Sequence, residues 1–567
     1  MAKKDYTELT KEELIELVNK LERKKKYGLV WDEEKTPEKV VVDCQKKLPI
    51  LTSVKKNTIS TNENEPTHIL IEGDNFHSLS VLNYTHNGKI DFIYADPPYN
   101  TGARDWRYNN NYVDDTDTFR HSKWLSFMKH RLILAKSLLT DDGVICVTID
   151  DYEMPRLWLL MEEIFGYDNH LGTVVIRNNP KGRMTKRKFS LIHEYGLFFG
   201  KSANSKIHKL PENPEDKTHN YKKDTDGTWY LPVNLRKQGV DSTAYNKKGK
   251  LSKRYYPIYF DLKTNKLSTV VKYEIEILPI DSKGEKRIWR RSKSDAEAMI
   301  SKGDIWYNKT KNGHQLYFKF RGGLDGKLAQ SMWYEPECSA SDYGTKILDE
   351  ILGEREKFQY PKAPFAVKKS ILSATNKKNA KILDFFAGSG TTGQAVLELN
   401  NEDGGKREFI LCTNNENKIA EEVTYKRVKN IIKGYKDVKG LGGNLRYFKT
   451  DFITNTKNKD QLRLNITKKC TEMLCLKEGI SNLNKEADDW KIFKSSNRYL
   501  AIYYDFASST LDDLKEEMNK IDGDKVLYCF TVNPHGLENE NFDDWNNIRL
   551  EPIPQKILDV YKQIFKK

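Results

Sequence analysis

The chain has 567 residues, 38% of them hydrophobic and 31% charged, and carries a formal net charge of +14. That length supplies roughly two to four domains and a large core. No apolar run approaches membrane-span length and Met1-Ala2-Lys3-Lys4-Asp5 holds no apolar signal core, so a cytoplasmic protein with no membrane partner is expected.

Seven cysteines, Cys44, Cys146, Cys338, Cys412, Cys470, Cys475 and Cys529, are scattered without a C-x-x-C pair. Reduced thiols and no metal site follow. The charge is uneven. Residues 171–330 hold 34 Lys and Arg against 16 Asp and Glu, which is +18, so the rest of the +14 chain carries −4. A basic segment confined to mid-chain points to a phosphate-binding surface rather than to general solubility.

In chain order, Thr10-Lys11-Glu12-Glu13 fits a capping box, with Leu14, Leu17, Val18 and Leu21 following at helical spacing. This amphipathic helix would cover the core or meet a partner. His68-Ile69-Leu70-Ile71 reads as a strand, leading through Glu72-Gly73-Asp74-Asn75 into a helix over Phe76 to Leu82, with Asp74 a candidate N-cap. Ile90-Asp91-Phe92-Ile93-Tyr94 reads as a buried parallel strand that breaks at Asp96-Pro97-Pro98-Tyr99. Two prolines cannot donate to a sheet ladder, so the strand ends there. Asp96 and Tyr99 then stand at a strand's carboxyl end, where ligands bind in open α/β sheets. A carboxylate, the Pro97 carbonyl and an aromatic ring can hold a planar, amine-bearing ring such as a flipped nucleobase.

A polar loop from Asn100 to about Arg120 is followed by a helix from about Ser122 to Leu139. Next come a buried strand from Gly143 to Ile149, a helix at Met161 to Phe165, and strands at Thr173 to Ile176 and His193 to Phe199. Strands alternating with helices imply a doubly wound α/β sheet. Between 201 and 355 the character changes, with Tyr and Trp interleaved with Lys and Arg. Arg236, Lys237, Lys253, Arg254, Lys286, Arg287, Arg290 and Arg291 are candidate DNA contacts.

Tyr360-Pro361-Lys362-Ala363-Pro364 precedes a helix over Ala366 to Ile371. Ile382-Leu383-Asp384 is a second buried strand, and it breaks into Phe385-Phe386-Ala387-Gly388-Ser389-Gly390-Thr391-Thr392-Gly393 before a helix. Glycines there let the backbone approach a ligand, and the helix N-terminus offers N–H groups to a carboxylate. The spacing is neither that of a dinucleotide fingerprint nor that of a phosphate loop. Glu408 to Cys412 is the next strand. From about Leu445 the sheet pattern is expected to end, and 446–567 reads as a small α/β domain with strands near Leu500 to Tyr504 and Val526 to Val532 and a helix at Leu511 to Glu517.

With Asp96-Pro97-Pro98-Tyr99 ahead of Phe386-Ala387-Gly388-Ser389-Gly390, the chain resembles β-class DNA amino-methyltransferases, most of all the modification (Mod) subunits of type III restriction-modification systems. The resemblance implies a Rossmann-like methyltransferase sheet with circularly permuted motif order. It also implies an inserted target-recognition domain. The expected organisation is an N-terminal arm (1–60), methyltransferase parts at 61–200 and 356–445, a target-recognition domain at 201–355, and a C-terminal domain for protein contact (446–567).

S-adenosylmethionine is the implied cofactor, held by Asp74, Lys362, Asp384, Phe386, Ala387, Gly388, Ser389, Gly390 and Thr391. Family members carry an acid after the strand that ends at Cys412. Here that position is Thr413, and Asn415 or Glu416 would bond the ribose instead. Double-stranded DNA is the implied partner, together with a homodimer and a restriction (Res) subunit. Asp96, Pro97, Pro98 and Tyr99 are the catalytic candidates for methylating adenine N6. N4-cytosine methylation and a non-catalytic recognition subunit are the rival readings.

Overall fold

The computed structural model describes residues 38–565 except 45, 109–110, 183–188, 212–219, 247, 311–312, 323–325, 455–458, 505–509, 532–544 and 546–547, and before residue 38 only residues 10, 11, 14 and 15. The amphipathic helix expected after Thr10 therefore lies largely outside the described residues. The described chain divides into two compact units. One comprises Met1–His208 with Gln330–Lys567, and the other is Lys209–Ala329.

The first unit is built on β1 (Lys47–Ser53), β2 (Thr67–Glu72), α1 (Asn75–Thr85), β3 (Ile90–Ala95), α2 (Arg120–Leu138), β4 (Leu139–Ile149), α3 (Met154–Phe165), β5 (His170–Ile176) and β6 (Glu194–Gly200). After the inserted unit come β7 (Met332–Trp333), α4 (Pro364–Ala374), β8 (Lys381–Asp384), α5 (Thr391–Asp403), β9 (Glu408–Thr413), α6 (Tyr425–Lys433) and β10 (Asn444–Thr454). The ten strands form one sheet in the order β1-β10-β2-β9-β8-β3-β4-β6-β5-β7. From β10 to β4 every pairing is parallel. β6 runs antiparallel to both of its neighbours, β4 and β5.

Alternation along β3 sends Ile93 and Ala95 into one apolar cluster and Phe92 and Tyr94 into another. The sheet is thus buried on both faces, which is why its strands read as near-continuous apolar runs. Cys146 and Cys412 are core residues of β4 and β9.

Three features depart from the sequence reading. The sheet does not end at Leu445, because β10 pairs in parallel with β2 and antiparallel with β1. Its polar positions, such as Lys449 and Thr450, disguise it beside the fully apolar central strands. Residues 330–355, expected in the inserted domain, instead bring β7 to the far edge beside β5. The loop after Asn100 contains a two-stranded ribbon, Ala103–Tyr108 with Asn111–Asp114.

The C-terminal part carries its own five-stranded sheet: Asn482–Glu486, Trp490–Ser495, Arg498–Tyr503, Asp524–Phe530 and Ile548–Ile553. Its Leu500, Ile502 and Tyr528 join the core cluster of the main sheet. The unit Lys209–Ala329 has a four-stranded and a three-stranded sheet around a separate core that includes Leu235, Tyr256, Ile258, Trp289 and Phe318. No helix among the described residues is long and apolar enough to cross a membrane.

Two histidines are sealed in the main core. His68 stacks on Phe409 with ring centroids 4.0 Å apart, and its Nδ1 accepts from the Phe409 N–H. Burial pushes the pKa of both His68 and His86 down to about 3, with nearby lysines adding to the effect. Folded, they stay neutral. Unfolded, they take up protons below about pH 6.5. Their contribution to stability is therefore present above pH 6.5 and is lost as pH falls toward 3, by about 1.4 kcal/mol per pH unit per histidine. Denaturant unfolding between pH 7 and 4 should show this slope, and His68→Gln should reduce it by one histidine's share. An unchanged slope would mean that His68 is charged in the fold.

Candidate active site

β2, β9, β8 and β3 are consecutive in the sheet and mutually parallel, so their carboxyl ends form one continuous edge. Register fixes the centre of that edge. Asp384 of β8 pairs with Tyr94 of β3, so the glycine loop and Asp96-Pro97-Pro98-Tyr99 leave the sheet side by side. The two motifs are about 290 residues apart in sequence and adjacent in space.

Asp96 is held from the next strand. Thr148 of β4 donates its hydroxyl to Asp96 Oδ1 at 2.7 Å. The Lys362 ammonium lies 3.1 Å from the same oxygen, which leaves Oδ2 to receive another donor. The two prolines turn the chain, and the Trp124 indole N–H fixes the Pro98 carbonyl at 2.7 Å. Asn100 completes the turn with φ of +56°, its amide donating to the buried Glu153. Pro97 is buried beneath this turn.

Tyr99 donates its hydroxyl to Glu194 Oε2 at 3.0 Å, and Lys362 donates to the Tyr99 oxygen at 2.5 Å. Glu194 Oε2 also accepts from Lys362 at 2.6 Å and from the Asn178 amide at 2.6 Å. Burial, then the charges of Asp96 and Glu194, raise the Tyr99 pKa far above the usual phenol range, so its hydroxyl remains a donor. Burial works against the charge on Lys362, but Asp96 and Glu194 more than offset it, and its pKa ends above the ordinary lysine value.

Lys362 was expected among the cofactor residues. Its carbonyl accepts from the Thr391 hydroxyl of the glycine loop at 3.3 Å, and its ammonium lies between the two carboxylates of the Asp96 mouth. Glu194 was not singled out from sequence at all. Its signal is a lone acid opening the apolar run Glu194-Tyr195-Gly196-Leu197-Phe198-Phe199. Because β6 is antiparallel, that first residue arrives at the edge where its parallel neighbours end.

The glycine loop is shaped by its own side chains. Asp384 accepts from the Phe386 N–H at 3.0 Å and from the Thr392 hydroxyl at 2.6 Å. Burial raises its pKa to about 7 against those two bonds, and Asp96 adds to the rise. Asp384 therefore organises the loop from beneath. Phe386 leans on Phe127, and the Ala387 N–H reaches across to the Cys412 carbonyl of β9.

Gly388 and Gly390 both have positive φ, +47° and +79°. A Cβ on Gly390 would stand 3.1 Å from Thr424 Cγ2, so the helix after β9 closes on the loop. Arg427 lies fully buried under Ser389 and Thr391, donating to both hydroxyl oxygens (2.9 and 2.8 Å) and to Gln394 Oε1 (2.9 and 2.6 Å). Burial lowers its pKa. Sequence reasoning missed Arg427, although it falls at the buried spacing with Val423, Val428 and Ile431.

Asp74 caps α1, accepting from the Phe76 N–H at 2.7 Å, with Arg131 3.4 Å away. Its side chain meets the cap role expected of it and stays about one-third exposed just after β2. Asn415 follows β9, and its amide oxygen accepts from the Glu421 N–H at 3.3 Å. Glu416 is half-buried and opens the turn Glu416–Lys418. Asp74, Asn415, the glycine loop and Asp96 thus follow one another along the edge in strand order.

In the unit Lys209–Ala329 the three basic segments come together. Arg236 and Trp289 form a bridge, the Lys237 N–H bonds the Ile288 carbonyl, and the Trp289 N–H bonds the Arg254 carbonyl. Lys253, Arg254 and Lys286 are exposed. Three of the arginines serve the unit's own fold. Arg287 pairs with Asp281 at 2.7 Å, Arg290 donates to the Asn234 carbonyl, and Arg291 sits over Phe318.

The DNA methylase family model of N6 and N4 methyltransferases matches residues 90–426. The type II methyltransferase M.KpnI of Klebsiella pneumoniae is 35% identical over 361 residues, covering 62% of this chain and 82% of that protein. The type III restriction-modification enzyme EcoPI Mod subunit of Escherichia phage P1 is 29% identical over 473 residues, covering 74% of this chain and 71% of that subunit. The matched span runs from the first residue of β3, through Asp96 and the glycine loop, to Arg427's neighbour in α6, and the chain belongs to the DNA methylase family of N6 and N4 methyltransferases.

Proposed function

We propose that the protein transfers a methyl group from S-adenosylmethionine to N6 of adenine in double-stranded DNA, as the modification component of a restriction-modification system. The observation that carries this reading is the adjacency of Asp96-Pro97-Pro98-Tyr99 to the glycine loop across the β3–β8 pair. A methyl donor lying along β2, β9 and β8 would direct its reactive end toward a base held at β3. Asp74 would take the donor's adenine, Asn415 or Glu416 its ribose, and the backbone from Phe386 to Thr391 its amino-acid end. The similarity to a Mod subunit supports a restriction subunit as partner, and a homodimer belongs to the same reading.

Adenine N6 is a weak nucleophile because its lone pair is delocalised into the ring. Hydrogen bonds from the amine to Asp96 Oδ2 and the Pro97 carbonyl would favour a tetrahedral nitrogen and aim its lone pair at the sulfonium methyl. The N–C bond forms as the S–C bond breaks, and S-adenosylhomocysteine leaves with the sulfur electron pair. Positive charge grows on N6, where a fixed carboxylate stabilises it. Positioning of the two reactants supplies much of the rest. The proton then departs to Asp96 or to water. Tyr99, anchored at its hydroxyl, would stack on the base. Asp-Pro-Pro-Tyr favours adenine over cytosine, whose N4 is the competing exocyclic amine.

The unit Lys209–Ala329 would grip the duplex and select its sequence. The convergence of Arg236, Lys237, Lys253, Arg254 and Lys286 supports this, as does the unit's own charge, 26 Lys and Arg against 15 Asp and Glu, which is +11.

Asp96→Ala should lose methyl transfer by at least 10²–10³-fold, as for loss of one preorganised charge-stabilising partner. Its S-adenosylmethionine affinity should stay near wild type, and transfer of labelled methyl groups to DNA, with calorimetry for the cofactor, reads both. Wild-type turnover in this variant would sink the mechanism. Gly390→Val should block the cofactor, since its side chain would force a strained backbone against Thr424. A folded Gly390→Val protein with normal cofactor affinity would show that the loop does not hold it. Replacing Lys253, Arg254 and Lys286 by Gln should weaken DNA binding and reduce the log–log salt slope by about 0.9 per lost phosphate contact, with cofactor affinity constant. An unaltered salt titration would put this cluster off the DNA.

A further inference from the structure

Two carboxylates, Asp96 and Glu194, share one ammonium. Lys362 Nζ stands 2.6 Å from Glu194 Oε2 and 3.1 Å from Asp96 Oδ1. The three side chains differ in access to water: Glu194 is 3% exposed, Lys362 12% and Asp96 27%. Glu194 Oε2 collects three donors, from Lys362, Tyr99 and Asn178, and so sits at the centre of the network. The formal charge of the trio is −1, and Asp96 is the member nearest solvent.

We propose that Glu194 is a positioning residue for methyl transfer, taking the shorter of the two bonds to the Lys362 ammonium it shares with Asp96, so that the mouth keeps a net negative charge for the target amine. This rests on the reading of Asp96 given above. With Glu194 present, the cation is bonded mainly to the deeper carboxylate, and the negative charge is felt at the mouth. With Glu194 made neutral, Lys362 has Asp96 as its sole counter-ion in the trio. The pair becomes neutral where positive charge must grow on N6. The effect is large because the network is screened by little water. Glu194 acts on Tyr99 as well, since it accepts the hydroxyl proton that fixes the ring. It touches neither the methyl group nor the reacting nitrogen.

The test is a double-mutant cycle read by the single-turnover rate of methyl transfer, with S-adenosylmethionine affinity and the thermal midpoint measured on the same samples. Glu194→Gln keeps the shape and the acceptor for Tyr99 but removes the charge. Its rate should fall on the order of 10–10²-fold, a fraction of the loss expected for a group that meets the reacting atom itself. Its cofactor affinity should change less than about threefold. Glu194→Gln with Lys362→Met restores the −1 charge and should recover about tenfold over Glu194→Gln alone.

Glu194→Asp, which keeps the charge at shorter reach, should be faster than Glu194→Gln, and it serves if the latter folds poorly. A wild-type rate in Glu194→Gln overturns the proposal. So does a double variant no faster than Glu194→Gln, because a purely structural Glu194 gives no rescue by removal of its partner. An inactive wild-type chain, by contrast, would overturn the reading of function on which this rests.

Discussion

The arrangement of the site depends on one constraint, the parallel pairing of β3 with β8 in a register that sets Tyr94 against Asp384. Phe92-Ile93-Tyr94 of β3 and Ile382-Leu383 of β8 are buried, so a slip of a single residue would exchange side chains between the two faces and draw Asp91 or Lys381 toward the core. Once that register is fixed, two loops that cannot continue the sheet must emerge together. One cannot because prolines lack the donor, the other because its glycines take up positive φ. The circular order of the chain is of no consequence to the edge, since β8 enters beside β3 after a long excursion.

The same edge concentrates buried charge. Asp384 and Arg427 lie under the glycine loop and Lys362 lies behind the Asp96 mouth, each with its bonds satisfied by neighbours that would otherwise be free to move. Such groups are costly to bury and contribute little net stability. They hold loops in one conformation, which is what a reaction dependent on alignment requires. Arg427 bonds only hydroxyl, carbonyl and amide oxygens among the contacts described, so it shapes the loop without neutralising a carboxylate there.

The sequence was most legible where backbone chemistry is extreme. The Pro97-Pro98 break, the Gly388 and Gly390 loop and the Asp74 cap are all found where their residue types dictate. Family membership was legible because those motifs are rare in combination. What escaped depends on strand direction and partners. Glu194 reaches the site because β6 runs backwards, and no local pattern encodes that. β10 was missed because an outer strand tolerates Lys449 and Thr450, whereas a central strand does not. Lys362 read as part of a cofactor element because Tyr360-Pro361-Lys362-Ala363-Pro364 resembles a family element at the cofactor pocket, and its long side chain also carries the ammonium to the Asp96 loop. Of the eight basic residues marked for DNA, Arg287, Arg290 and Arg291 also make contacts within their own unit, a use of charge that composition does not distinguish from phosphate binding.

The central claim, that the mouth at Asp96 methylates adenine at N6, is tested most directly by mass spectrometry of nucleosides released from DNA incubated with the protein and S-adenosylmethionine. N6-methyladenine should appear, in proportion to the S-adenosylhomocysteine formed. N4-methylcytosine as the product, or no methylated nucleoside from a protein that binds both DNA and cofactor, would contradict it.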